Sequence, residues 1–228
     1  MELALSAGTS FTGNLPASAD YTAQDESVNV LTTPDELTMF MVCVRNGTVG
    51  FAQYVAGLAE LSGKSFGETA DHLTDLASSL DPQAITSGGM LWPFFQGENV
   101  AKLPDARAAL EGTSIDLLSN PGVLARLLLE APTLTLRYGL EQLRPHTGPV
   151  KKVILTGGAL KSKDGYAPQL YADILNTPVT ARPGDEEGTA KGAAILAGYM
   201  VEKQTNNTAQ SLADYAQSQT PGEAQTWQ

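Results

Sequence analysis

The chain opens on "LALSAGTSFTGNL", in which two short strand-like runs flank a Gly-Thr-Ser turn, so residues 2–16 predict two strands around Gly8. Alternation in "SVNVLT" (27–32) adds a third strand, and the apolar run "LTMFMVCV" (37–44) a fourth. After Asn46-Gly47 the period changes. Val49, Ala52, Val55, Ala56 and Ala59 follow helical spacing until Ser62-Gly63. A second helix is predicted over "SFGETADHLTDLASSL", with Ser65 as its cap and Glu68 three residues later completing a capping-box pattern.

Further along, "GGMLWPFFQGE" (88–98) reads as a strand entering a loop, and residues 99–119 read as irregular because Pro104 and Gly112 break any long element. Helical spacing resumes at Pro121 with Leu124, Leu127, Leu128 and Ala131 on one face; Pro132 is expected to interrupt or kink this helix before "LTLRYGLEQLR" continues it. The last third alternates clearly: strand "VKKVILTGGAL", helix "YAPQLYADIL", strand "TPVTAR", helix "DEEGTAKGAAILAGYMVEK". Gly188, Gly192 and Ala193 would let that last helix lie close to a neighbour. From Gln204 the chain is polar and short of large apolar residues. The pattern therefore predicts one α/β domain over residues 1–203 and a loosely attached polar tail over 204–228.

Composition narrows the function classes. With 228 residues, 42% hydrophobic and 17% charged, the chain is globular in composition. A net charge of -11 argues against nucleic acid and anionic membranes as partners. A polyanionic ligand such as ATP stays compatible if Mg²⁺ and backbone N–H groups offset its charge. The single cysteine, Cys43, excludes an intrachain disulfide and a thiolate zinc cluster, and its apolar flanks suggest packing. No signal-peptide pattern and no apolar run near the roughly 18 residues of a membrane span is found, so a cytoplasmic location is the expectation.

Two glycine turns can carry chemistry. At Gly8-Thr9-Ser10, free N–H groups and two hydroxyls suit phosphate oxygens, although a hairpin turn uses the same residues for geometry alone. At Gly157-Gly158 a strand gives way to a helix, which is where α/β sheets place ligands, although a plain connection explains the glycines equally well. His72 and His146 lack a serine or cysteine partner at readable spacing and read as surface residues. Asp185-Glu186-Glu187 suits the positive end of the following helix better than a metal ion. Trp92-Pro93-Phe94-Phe95 can stack on a base, though core packing is the commoner use.

The order of "SAGTSFTG", "LWPFFQGENVAKLPDA", "LARLLLEAPTLTLRYGLEQL" and "VILTGGALKS…QLYADILNTPV…GTAKGAAILAG" resembles the carboxyl-terminal domain of FGGY-type carbohydrate kinases, from about Leu3 to about Val201. Gly-Thr-Ser in the first turn, together with Pro93, Gly97, Glu98 and Leu103-Pro104-Asp105-Ala106, is similar to the xylulokinase branch. The resemblance implies an actin-like ATPase (ribonuclease H-like) fold with a mixed sheet flanked by helices. It further implies ATP and Mg²⁺ as cofactors and a ketose or polyol such as D-xylulose as phosphoryl acceptor. Gly8, Thr9 and Ser10 match the family's second phosphate-binding turn; Gly157, Gly158 and Ala159 match its adenosine motif; Ser162 falls near the base, and Gly188–Ala197 matches the final packing helix.

By the same resemblance, the catalytic aspartate and most sugar contacts lie upstream of Met1, so the isolated chain is expected to be inactive. Homodimerisation is also expected, through the face that should meet the amino-terminal domain. The sequence departs from the family at Phe11, at Asn99-Val100-Ala101 in place of Arg-Thr-Pro, at Ala131 in place of glycine, and in a longer Lys161–Tyr166 loop. A non-catalytic nucleotide-binding or interaction module of the same fold is the alternative. A dinucleotide-dependent oxidoreductase is disfavoured, since no G-x-G-x-x-G opens a helix after an early strand.

Overall fold

Leu3, Leu5 and Ala7 all turn to one side of strand β1 (Glu2–Ala7), and Phe11, Gly13 and Leu15 do the same on β2 (Phe11–Pro16). This two-residue period buries one face of the hairpin. In the computed structural model, which describes residues 1–17, 27–81, 89–112, 119–205, 210–220 and 222–228, the hairpin sits at the centre of a seven-stranded mixed sheet. The order is β3-β4-β2-β1-β7-β8-β9, with β3 Asn29–Thr32, β4 Thr38–Val44, β7 Lys152–Thr156, β8 Val179–Ala181 and β9 Gln225–Trp227. Neighbours from β3 to β1 pair antiparallel, β1 and β8 both run parallel to β7, and β9 returns antiparallel on the edge.

The sheet's buried face joins Leu3, Leu5, Phe11, Phe40, Val42, Val153 and Leu155 into the main core, covered by helices α3 (Pro121–Thr147) and α4 (Tyr166–Leu175). Helices α1 (Val49–Ser62) and α2 (Phe66–Ser78) pack with α3 into a second, smaller core around Val55, Leu73 and Ala125. The expected capping box is formed. Ser65 Oγ accepts from the Glu68 N–H, and the Glu68 carboxylate accepts from the Ser65 N–H at 3.0 Å.

Four expectations change. Helix α3 runs unbroken through Pro132, because Ala131, Pro132, Thr133 and Leu136 are all buried and their packing outweighs a proline cost of about 3 kcal/mol. The stretch read as irregular contributes β6 (Ala109–Glu111), which pairs antiparallel with β5 (Met90–Trp92). The polar end of the chain is tied down. Helix α6 (Leu212–Ser218) lies against α5 (Gly188–Thr205), and β9 completes the sheet edge while Trp227 packs against the main core. One aromatic residue thus anchors a segment that its composition makes look loose.

The fourth concerns α5. Gly188 approaches closely, since a Cβ there would lie 2.5 Å from Thr156 Cβ, but Gly192 faces open space and Ala193 is exposed. The close contact further along falls instead at Gly198 and Tyr199, against Tyr215.

Candidate nucleotide site

Strands β1 and β7 are parallel neighbours in register, with Ser6 opposite Thr156. Both therefore end at the same edge of the sheet, and the turn after each strand emerges beside the other. Gly157 has φ 101°, a conformation that favours glycine, and a Cβ on it would lie 2.7 Å from the carbonyl oxygen of Ala7. The chain can thus pass against the residue that precedes Gly8 only because no side chain intervenes.

Each turn is fixed by a different partner. The Gly8 carbonyl accepts two hydrogen bonds from Thr48, from its N–H at 3.0 Å and its Oγ1 at 2.9 Å. Gly8 N–H donates to the Ser10 carbonyl. Among the described residues, the N–H groups of Thr9 and Ser10 have no internal acceptor. At the second turn, the Gly157 N–H donates to the Asp185 carbonyl at 2.8 Å. Gly158 is exposed and has no atom within 4 Å of a Cβ position, whereas Ala159 is buried. The edge thus offers outward donors at one turn and open space at a backbone at the other, which fits a phosphate-bearing ligand.

The flanking residues are mostly committed to structure. Ser162 Oγ accepts from the Ala167 N–H at 3.0 Å, so it holds the start of α4 and keeps its proton and one lone pair for a ligand. Asp185 accepts from the Arg182 N–H and pairs with Lys191 Nζ at 2.9 Å. Glu187 pairs with Lys161 Nζ at 2.7 Å, which lowers the carboxyl and raises the ammonium from their ordinary values. A 3₁₀ turn over Gly158–Lys161 leads into the Lys161–Tyr166 loop, which holds a second over Lys163–Gly165 and is tied to α2 by Lys163 Nζ on Asp75 at 2.6 Å.

Other candidates lie elsewhere. Phe94 is buried; Trp92 and Phe95 are exposed, and Trp92 lines an apolar groove with Met90, Leu103, Leu134 and Tyr138 rather than joining the glycine turns. His72 and His146 are exposed. The Cys43 thiol is pushed up first by burial and then by the nearby Glu98 charge, consistent with an unreactive packing role. Phe11 and Val100, two departures from the family pattern, are core residues, and Phe11 meets Tyr171 edge-on at 5.5 Å.

The residues behind the first turn were not legible as such. Asn46-Gly47 reads as a simple break before a helix, yet a Cβ on Gly47 would lie 2.8 Å from the Gly8 carbonyl oxygen. Glu98 is wholly buried. Its Oε2 accepts from the Arg45 N–H at 3.1 Å and from Asn46 Nδ2 at 3.3 Å, and its Oε1 accepts from the Val100 N–H at 3.4 Å. Burial is the leading influence on its pKa and pushes the carboxyl above its usual range, against the pull of these hydrogen bonds.

The model of the carboxyl-terminal domain of the FGGY family of carbohydrate kinases matches residues 3–201. The chain belongs to that family. A xylulose kinase of Haemophilus influenzae is 35% identical over 111 residues, which is 49% of this chain and 22% of that protein. A glycerol kinase of Shewanella sediminis is 37% identical over 117 residues, 51% of this chain and 23% of that protein. The matched segments thus span about a quarter of these relatives' length.

The crystal structure of a xylulose kinase from Bifidobacterium adolescentis superposes with a TM-score of 0.63 at 25% identity, covering 81% of this chain and 34% of that one. Ligand-bound xylulose kinase from Lactobacillus acidophilus gives 0.72 at 21% identity, covering 99% and 42%. These FGGY kinases share the actin-like ATPase fold, and this domain has it too.

Proposed function

We propose that this domain is the nucleotide-holding half of a xylulokinase-like sugar kinase, binding ATP with Mg²⁺ between the Gly8–Ser10 and Gly157–Ala159 turns. The observation that supports this most is the parallel β1–β7 register, which carries both glycine turns to one sheet edge. Thr9 and Ser10 donate N–H groups and hydroxyls to phosphate oxygens; such charge-assisted bonds contribute about 1.5–3 kcal/mol each. Gly157, Gly158 and Ala159 let the nucleoside lie against the main chain, and Ser162 sits at the edge of that surface. Neutral donors suit a protein of net charge -11, because they add no opposing counter-charge that must itself be desolvated.

Mg²⁺ supplies charge neutralisation on the phosphates during in-line transfer. In the parent assembly an aspartate outside this sequence takes the proton from the sugar hydroxyl, and this domain closes over the nucleotide to exclude water. The sugar, a ketose or polyol such as D-xylulose, is held mainly by the other domain, and the whole works in the cytoplasm.

Calorimetric titration with MgATP tests the reading. Saturable binding is expected, and Gly158→Val, which fills the open position, is expected to weaken it more than tenfold. Equal binding by both proteins overturns the adenosine assignment. A coupled assay with D-xylulose is expected to show no turnover by residues 1–228 alone.

A further inference from the structure

We infer that Glu98 and Thr48 are positioning residues for the Gly8–Ser10 turn, linked through Asn46, and that this clasp aims the turn's N–H donors at phosphate. The inference rests on the nucleotide reading above. A fully buried carboxylate is costly unless its oxygens are satisfied, and Glu98 has no cation within ion-pair distance among the described residues. Its partners are instead the Arg45 and Val100 N–H groups and the Asn46 amide. Asn46, itself 1% exposed, closes the contact with Nδ2 donating to the Gly97 carbonyl at 2.9 Å and Oδ1 accepting from the Gln96 N–H at 3.2 Å. The loop around Glu98 is rigid enough to act as an anchor. Glu98 and Leu103 exchange backbone hydrogen bonds at 2.8 and 3.0 Å, and a Cβ on Gly97 would overlap Pro104.

The other end of the clasp reaches the turn directly. A Cβ on Gly47 would lie 2.7–2.9 Å from Phe11, the Gly8 carbonyl oxygen and Ser10, so only glycine fits there, and the next residue, Thr48, donates twice to that carbonyl. In a trans peptide the C=O and the following N–H point to opposite sides. Holding the Gly8 oxygen toward Thr48 therefore turns the Thr9 N–H away from Thr48, and among the described residues that N–H has no internal acceptor. A hairpin turn left to itself has several allowed geometries; this one is selected from about 40 and 90 residues away along the chain.

The test compares MgATP with adenosine, which has no phosphates, by calorimetry on the whole chain. Thr48→Val keeps the backbone donor and removes the hydroxyl; it is expected to weaken MgATP about fivefold and leave adenosine unchanged. Glu98→Ala is expected to weaken MgATP about tenfold or more, while Glu98→Gln, whose carbonyl replaces Oε2 and which gives up only the long Val100 bond to Oε1, is expected to lose about threefold or less. Thermal melts report whether Glu98→Ala remains folded, and Thr48→Val carries the test if it does not. Unchanged MgATP affinity in Thr48→Val, or equal losses of MgATP and adenosine, overturns the clasp. A parent chain that binds adenosine and MgATP normally confines that failure to the clasp. A parent chain that binds neither overturns the nucleotide reading and the clasp together.

Discussion

The two glycine turns sit side by side, yet they are held in opposite ways. The Gly8–Ser10 turn is gripped from outside its own hairpin, by Thr48 on its carbonyl and Gly47 against its backbone. The Gly157–Ala159 turn is held by backbone alone: Gly157 at φ 101° lies against the Ala7 main chain, and its N–H donates to the Asp185 carbonyl. Side-chain mutations distant in sequence should disturb the first turn, whereas only changes at the glycines themselves should disturb the second.

The sharpest way to break this contrast is within the second turn. Gly157→Ala forces a Cβ into the Ala7 carbonyl and an unfavourable φ on alanine, and it is expected to destabilise the domain by about 3 kcal/mol or more in urea unfolding. Gly158→Ala, one residue on and in open space, is expected to change stability by no more than about 0.5 kcal/mol. Similar losses at both positions would contradict the division of labour.

At the first turn, the buried Glu98 gives a pH signature. Its folded pKa lies above the unfolded reference of 4.5, so the folded state keeps this proton after the unfolded chain has released it. The stability it contributes is full below about pH 4.5 and is lost as pH rises through the raised folded value. Glu98→Gln removes that dependence. Its stability relative to the parent chain should therefore improve as the pH rises from 4 to 7, measured by urea midpoints. A difference of the opposite sign would mean that the hydrogen bonds, not burial, govern the carboxyl.

The smallest effect belongs to the exposed Lys161–Glu187 pair beside the second turn. Glu187→Gln is expected to leave the melting temperature unchanged within error, because exposed pairs gain little from water-screened attraction.

Much of this was legible from residue order. Strand-like runs around the Gly8 turn found the β1–β2 hairpin, alternation found β3 and an apolar run found β4; the capping box located α2; and the glycine turns marked both ends of the candidate site. What stayed hidden depended on distant partners. Trp227 and the β8–β9 pairing tie the end of the chain to the sheet through contacts that composition averages away, and Pro132 remains in a helix because its neighbours are buried. Glu98 looks like an ordinary loop acid until its oxygens are seen to meet Arg45, Asn46 and Val100.

By itself, the sequence determined the local elements, the two glycine turns and the family pattern, because periodicity, capping and turn chemistry act within a few residues. Tertiary structure alone decided that the two turns share an edge. That follows from the parallel pairing of β1 with β7, a contact between strands about 150 residues apart, whose register comes from burying one common face. It also decided which carbonyl Thr48 would hold, and hence which way the Thr9 N–H points.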